Sequence, residues 1–306
     1  MGYLHIDNLY KDQKILMMKE CYALEKIHGT SARLSYSPAV YYGPAPEDLG
    51  RLDFYAGGGK HEHFVSLFNT TDLLNRLNEM VPEKHAIIYG EYYGGSMHKM
   101  SNTYGNAMKF VAFEVRIGGL WLSVPRAEEF VKALGLEFVY YKKIPTTIEA
   151  IDAERDAPSE QAIRNGMMAS TDNAGFSPPI REGIVLRPIE EVTLNNGDRV
   201  IAKHKRQEFM ETKTYKPVSE EKLKVIAEAK AIAEEWVTLE RLNHILNRGV
   251  VEARIENTGT IISLMIEDIL REAEGEIEDS PNARKQIAKE TALLFKRQLN
   301  DKLQRM

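Results

Sequence analysis

Along the first two hundred residues the apolar positions fall in short bursts separated by turn residues, not in long helical stripes. From about residue 20 to 210 this predicts strands. Residues 86–89 (AIIY) are a compact apolar run ending at Gly90-Glu91. Residues 110–117 (FVAFEVRI) alternate as a half-buried strand does, and Gly118-Gly119 joins them to LWLSV as a hairpin partner. Residues 183–186 and 200–205 are two further strands, connected through Asn195-Asn196-Gly197-Asp198, a strong turn signal. Helical patches intervene at 71–80, with Asp72 at its start, and at 125–134 behind Pro125. Between Asp152 and Pro179 the chain is polar and reads as loop.

Near Pro217 the pattern changes. Ser219 with Glu220 and Glu221 makes a helix start, after which Leu223, Ile226, Ala229, Ala233 and Trp236 recur at three- and four-residue steps. Thr238, Thr258 and Ser280-Pro281 mark three more starts. The last helix carries Ala288, Ala292, Phe295, Leu299 and Leu303 on one stripe. Nothing after residue 219 alternates with period two for long. The pattern predicts a mixed α+β domain over 1–216 and an all-helical domain over 217–306, with no internal repeats or low-complexity tracts.

The 306 residues suffice for two domains, and 43% hydrophobic with 28% charged residues is the composition of a globular chain, which excludes disordered and fibrous classes. No stretch reaches the roughly 18 apolar residues of a membrane helix. The first residues, MGYLHIDNLYKDQ, lack the apolar run and cleavage site of a secretory leader. A lone Cys21 permits no internal disulfide and no cysteine metal cage, so a reducing cytoplasm is the expected setting. The net charge of −5 excludes a globally basic nucleic-acid coater but leaves room for a local cationic cleft.

The chemistry concentrates in Glu25-Lys26-Ile27-His28-Gly29-Thr30-Ser31. A lysine beside a glycine turn is ordinary surface decoration on its own. It is also what a nucleophile toward an α-phosphorus needs, since the glycine lets backbone approach phosphate. Such a lysine has to lose its proton, which requires other cations or a metal beside it. Candidates lie downstream. Period two puts Lys203 and Lys205 on one face of the 200–205 strand and His204 on the other. Glu182 stands at the mouth of the strand that follows it, and Glu91 at another strand end. Phe113 is a core residue or a stacking platform for a purine.

The order Lys26, Glu91, Phe113, Glu182, Lys203, Lys205 resembles that of the covalent nucleotidyltransferases: DNA ligases, RNA ligases and mRNA capping enzymes. EKIHGT, YGE, FVAFEV, REGIVLRP and RVIAKHK are most similar to segments of the bacteriophage T4 RNA ligase 2 family. The likeness is closest over 20–36, 86–118 and 181–209. It extends loosely into the tail at VTLERLN and IEDIL. The resemblance implies an α+β adenylyltransferase domain of ATP-grasp-like antiparallel sheets with flanking helices, followed by a small all-α C-terminal domain. It implies ATP and Mg²⁺, with Mn²⁺ able to substitute, and Lys26 as the residue that takes AMP. Glu25, Lys26 and Ile27 would line the nucleotide site, with Phe113 stacking on adenine. Glu91 would hold the ribose or a metal, and Glu182 a metal. Lys203 and Lys205 would neutralise phosphates, and His28 would belong to the catalytic group. Glu114 follows the stacking aromatic as a carboxylate does in the family, although strict alternation points it away from Phe113.

Two positions depart from the family. Its arginine after the nucleophile is missing from Tyr55-Ala56-Gly57-Gly58-Gly59-Lys60-His61, where Lys60 is the available cation but cannot copy a bidentate guanidinium. Ser31 replaces an asparagine, so Ser31 and Lys60 are the candidate nucleic-acid contacts. His61 and His63, two apart with no third ligand nearby, make no zinc site. The implied activity is sealing of 3′-OH/5′-phosphate nicks in duplex RNA or RNA–DNA hybrids by a monomer in the cytoplasm of a bacterial or phage-infected cell. A DNA ligase of the same superfamily and a non-catalytic nucleic-acid-binding relative are the alternatives. The helical tail argues against the first, because an OB-fold needs strands after residue 217. In the tail itself a nucleic-acid clamp and a protein-docking module both remain open.

Overall fold

A computed structural model describes residues 3–39, 50–167, 170–172, 175–177, 179–194, 197–209, 219–247, 251–273 and 277–304. The chain separates into two compact units, Met1–Lys216 and Pro217–Met306. The first unit carries strands β1 (Glu20–Lys26), β2 (Thr30–Ser37), β3 (Arg51–Ala56), β4 (Ala86–Gly94), β5 (Met108–Ile117) and β6 (Leu120–Trp121). They are followed by β7 (Tyr141–Pro145), β8 (Ser170–Asp172), β9 (Gly175–Ser177), β10 (Gly183–Pro188) and β11 (Ala202–Lys205). Its helices are α1 (His61–Val65), α2 (Thr70–Met80), α3 (Ser101–Tyr104), α4 (Val124–Ala133), α5 (Ile148–Arg155) and α6 (Glu160–Arg164).

Two antiparallel sheets result, in the orders β11-β10-β1-β7 and β3-β2-β4-β5-β6, with β8-β9 a separate hairpin. The chain passes from the first sheet to the second at 27–29, directly after Lys26. Gly118 and Gly119 both take positive φ, 55° and 89°, which a two-residue turn between β5 and β6 requires and side-chain-bearing residues resist. Leu34, Ile88, Val111 and Val115 pack with Leu73 and Leu77 of α2 and Val124 and Ala127 of α4 into the main core.

Three details differ from the expectations set by the sequence. First, β4 does not stop at Gly90-Glu91 but continues to Gly94. At that point the β4–β5 register shifts: Tyr89 faces Glu114 while Gly90 faces Ala112, so Phe113 is the extra residue of a bulge. Glycine is needed there, because a Cβ on Gly90 would lie 2.4 Å from the Phe110 ring and from the Val111 carbonyl oxygen. Second, the 152–179 stretch is not loop throughout. It holds the second half of α5, all of α6 and the β8–β9 hairpin. Elements of three to eight residues are too short to print an apolar period, and caps define the helices instead: Thr147 Oγ1 accepts from Ala150 N–H and Ser159 Oγ from Ala162 N–H. Third, α2 is capped by Asn69, whose side chain accepts from Asp72 N–H, so Asp72 sits inside the first turn. In the expected turn at 195–198, Asn195 and Asn196 lie outside the described residues, while Leu194 N–H donates to the Asp198 carbonyl.

The described residues of the second unit form α7 (Glu220–Trp236), α8 (Leu239–Asn247), α9 (Thr258–Glu272) and α10 (Pro281–Gln304). Ser219, Thr238 and Ser280 each accept a first-turn N–H through the side-chain oxygen. Ala233, Leu242, Ile261, Met265, Ile269, Ile287 and Phe295 form its core. On α10 the buried face is Ala283, Gln286, Ile287, Thr291 and Phe295, so it is rotated from the expected stripe; Ala288 and Ala292 are only half-buried. Ile287 and Phe295 are bulkier than the alanines and set which face turns inward. Asp268 is buried between Arg241 (2.6 Å) and Arg271 (2.5 Å). Among the described residues no helix is long and apolar enough to cross a membrane.

Candidate active site

Strand register assembles the first half of the site. Lys26, the last residue of β1, pairs with Gly183, the first of β10, which pairs on its other side with Lys205, the last of β11. The two ammonium groups therefore flank a residue with no side chain. A Cβ on Gly183 would fall 2.2 Å from the His204 carbonyl oxygen, so nothing larger fits. Glu182, one residue earlier, bridges the gap: Oε2 lies 2.9 Å from Lys26 Nζ and Oε1 2.9 Å from Lys205 Nζ. His28 Nδ1 is 3.2 Å from the same Oε2. Burial alone would raise the Glu182 carboxyl, but the hydrogen bond to His28 and the Lys26 and Lys205 charges outweigh it and hold it at about 2. His204 points to the opposite face, where Nε2 is 2.7 Å from Asp152.

The second half comes from the other sheet. Ser31 on β2 faces Glu91 on β4, and Glu91 Oε1 accepts from Gly29 N–H at 3.1 Å. A Cβ on Gly29 would sit 2.5 Å from the Tyr92 carbonyl oxygen, so glycine lets this connection lie flat on β4. Glu91 behaves oppositely to Glu182. Loss of solvation pushes its carboxyl up to about 7, the Glu182 charge adds to the rise, and Lys26 only partly offsets it.

Between the sheets lies a cavity of about 400 Å³. Lys26, Ile27, Ser31, Glu91, Phe113 and Lys203 all line it, as does Glu114. That Phe113 and its neighbour Glu114 face one cavity contradicts strict alternation, and the bulge is the reason. Within the cavity wall Glu114 is fully buried and paired with Arg187 (3.2 Å) and with Arg199, which also stacks over Trp121 at 4.1 Å. Tyr3 hydrogen-bonds Glu114 through its hydroxyl and packs its ring edge-on to Phe113, 5.0 Å between centroids. Tyr3 and Arg187 line the cavity without any expectation from the sequence; an arginine inside the apolar GIVLRP run was the available signal.

Two expected residues stand apart. The Glu25 side chain alternates to the far face of β1, where it accepts from Ser159 Oγ (2.6 Å) and Gln161 N–H (3.1 Å). Only its main chain is left to line the cavity. Lys60 is exposed at the N-terminus of α1 and does not line the cavity, although Gly57 and Gly58 beside it press on Thr30. His63 Nδ1 lies 2.5 Å from Tyr92 Oη. Among the described residues no three His, Cys, Asp or Glu side chains cluster as a metal cage.

The sequence model of the RNA ligase family matches residues 19–205, the span that contains every strand from β1 to β11. The chain belongs to the RNA ligase family. That family lies within the nucleotidyltransferase superfamily, and its matched span ends at Lys205. No curated protein matches this RNA ligase family member. Among solved structures it is similar to Naegleria gruberi RNA ligase: a lysine-to-alanine mutant with ATP and Mn (14% identity, TM-score 0.46), a lysine-to-methionine mutant with AMP and Mn (13%, 0.46) and the protein with PPi (14%, 0.46). Each match covers 68% of this chain but only 56–57% of the Naegleria protein, little more than half its length.

Proposed function

We propose that this RNA ligase family member is an ATP-dependent ligase that carries AMP on Lys26 and seals 3′-OH/5′-phosphate nicks in duplex RNA or RNA–DNA hybrids. The observation that carries the proposal is the Lys26–Glu182–Lys205 bridge at the edge of a cavity large enough for a nucleotide. Lys26 Nζ gives up its proton to solvent at the open cavity and attacks the α-phosphorus of ATP, the bond from that phosphorus to the oxygen bridging to the β-phosphate breaks, and pyrophosphate leaves with that oxygen. The AMP passes to a 5′-phosphate end, and a neighbouring 3′-hydroxyl then displaces it to form the phosphodiester. Each step is an in-line displacement, so the protein positions groups and stabilises charge.

Phe113 and Ile27 would hold the adenine, Lys203 the phosphates, and Glu91 the ribose or a divalent ion. For the amine to attack, Glu182 has to exchange Lys26 for another cation while keeping Lys205. His28, Lys26 and Lys205 hold the Glu182 carboxyl low in this arrangement, and an anionic oxygen that trades Lys26 for another cation suits a hard divalent ion. Mg²⁺, with Mn²⁺ in its place, would supply charge neutralisation of the ATP phosphates there. Ser31, on the cavity wall, and Lys60, outside it, would meet the nucleic acid. The helical unit would serve sealing and not self-adenylylation, acting as a monomer in the cytoplasm.

The test is sealing of nicked duplexes that differ only in the sugars beside the nick, with ATP and Mg²⁺. Fastest sealing with ribose at the 3′-OH side is expected. Equal or faster sealing of all-DNA nicks would make the protein a DNA ligase, and no sealing of any nick would reject the proposal.

A further inference from the structure

His28 is held by a second loop that the proposed chemistry leaves without a role. Residues 95–105 leave β4 and return to β5, and Gly95 N–H donates to the Gly105 carbonyl at 3.0 Å to close the loop's base. Met97 and Met100 anchor it on the core, and Tyr104 is buried against Tyr93. The loop grips His28 twice. Tyr104 Oη accepts the His28 backbone N–H at 3.2 Å, and the His98 ring packs on the His28 ring, 5.0 Å between centroids. Phe209 meets the same ring at 5.4 Å. The imidazole so confined is the one whose Nδ1 lies 3.2 Å from Glu182 Oε2, the oxygen that also holds Lys26.

The backbone of this loop is strained where it touches His28. His98 takes φ 49° and ψ 22° and Lys99 takes φ 61°; they are the two non-glycine residues with positive φ among those described. Two side-chain-bearing residues in succession rarely adopt the left-handed region, because Cβ crowds the carbonyl oxygen. Both are exposed, so burial of their side chains does not repay the strain. A strained, exposed residue whose ring contacts an active-site imidazole is the pattern of strain kept for positioning.

We propose that His98 is a positioning residue, held in its left-handed conformation so that its ring fixes the His28 imidazole on Glu182 and through it the geometry of Lys26. This rests on the reading that Lys26 carries AMP. The experiment measures AMP uptake against time at several ATP concentrations, together with thermal melts, for the full-length wild type, His98→Gly, His98→Ala and His98→Phe. Glycine removes both ring and strain: the expected Tm is at or above wild type, while kcat falls on the order of 10-fold and KM for ATP stays within about twofold. Alanine loses the ring but keeps the strain, giving the same kcat loss with a lower Tm than glycine. Phenylalanine keeps a flat ring and recovers most of the rate. A glycine variant as fast as wild type overturns the proposal, as does a change in KM in place of kcat. A rate loss that simply tracks Tm across the variants also overturns it, by making the role structural. Wild-type protein that takes up no AMP would reject the underlying reading, and His98's role with it; uptake by wild type with an unaffected glycine variant would reject only the latter.

Discussion

The two carboxylate clusters of the first unit share a plan, one glutamate between two cations, and do different things. Glu114 meets Arg187, Arg199 and Tyr3, and the side chains of Glu114, Arg187 and Arg199 are 0%, 2% and 5% exposed. Glu182 meets Lys26, Lys205 and His28, but Lys26 keeps 24% of its side chain exposed and faces a cavity. The first cluster binds the N-terminal segment, β5 and β10 into one body. Its partners cannot leave without stranding a buried charge. The second has a partner with somewhere to go. Access to the cavity, and an amine that can lose its proton where a guanidinium cannot, separate a reactive cluster from a structural clasp.

The sharpest way to break that contrast is to remove Lys26. Lys26→Ala should cut AMP uptake by about 1000-fold or more, because no other group replaces the nucleophile, while the melting curve stays near wild type. Radiolabelling beside thermal melts reads both. If the variant unfolds early, Lys26 belongs to a clasp after all.

Glu114→Ala should do the reverse. Leaving Arg187 and Arg199 buried without their carboxylate should cost about 3–5 kcal/mol of stability, read from urea unfolding, and AMP uptake should fail only as far as the fold does. A variant as stable as wild type would show that the buried cluster holds nothing together.

The smallest effects are in pH. Glu182 sits at about 2 against an ordinary 4.5, so it stabilises the fold above pH 4.5 and loses that contribution as pH falls toward 2. Glu182→Gln should therefore be less stable than wild type at pH 6, with the gap closing below pH 4.5. Glu91 is raised to about 7, so the wild type loses stability as pH rises from 4.5 to 7. Glu91→Gln should gain on wild type across that window. Tm measured against pH for both variants checks the signs, and parallel curves would contradict them.

The sequence made the lysines and carboxylates visible because their strands are short and distinct: GIVLRP is an apolar run, AKHK alternates lysine with histidine, and one glycine in register at position 183 brings three of the charged groups together. What it hid depends on contacts far along the chain. The pairing of Phe113 with Glu114 at one cavity needs a bulge set by Gly90 on another strand. Tyr3 reaches the cavity from 110 residues before Phe113, which no local pattern encodes. Glu25 adjoins the nucleophile in sequence, yet alternation sends its carboxylate to the cap of α6, within a stretch that local composition reads as loop. The strain at His98 is visible only as a pair of dihedral angles.

The central claim is that the amine beside Glu182 is the one that carries the nucleotide. Intact-mass measurement of the full-length protein after incubation with ATP and Mg²⁺, followed by peptide mapping, tests it most directly. The account predicts a single added AMP on the peptide containing Lys26, lost from Lys26→Ala. AMP mapped to any other residue, or a chain that stays unmodified, would contradict it.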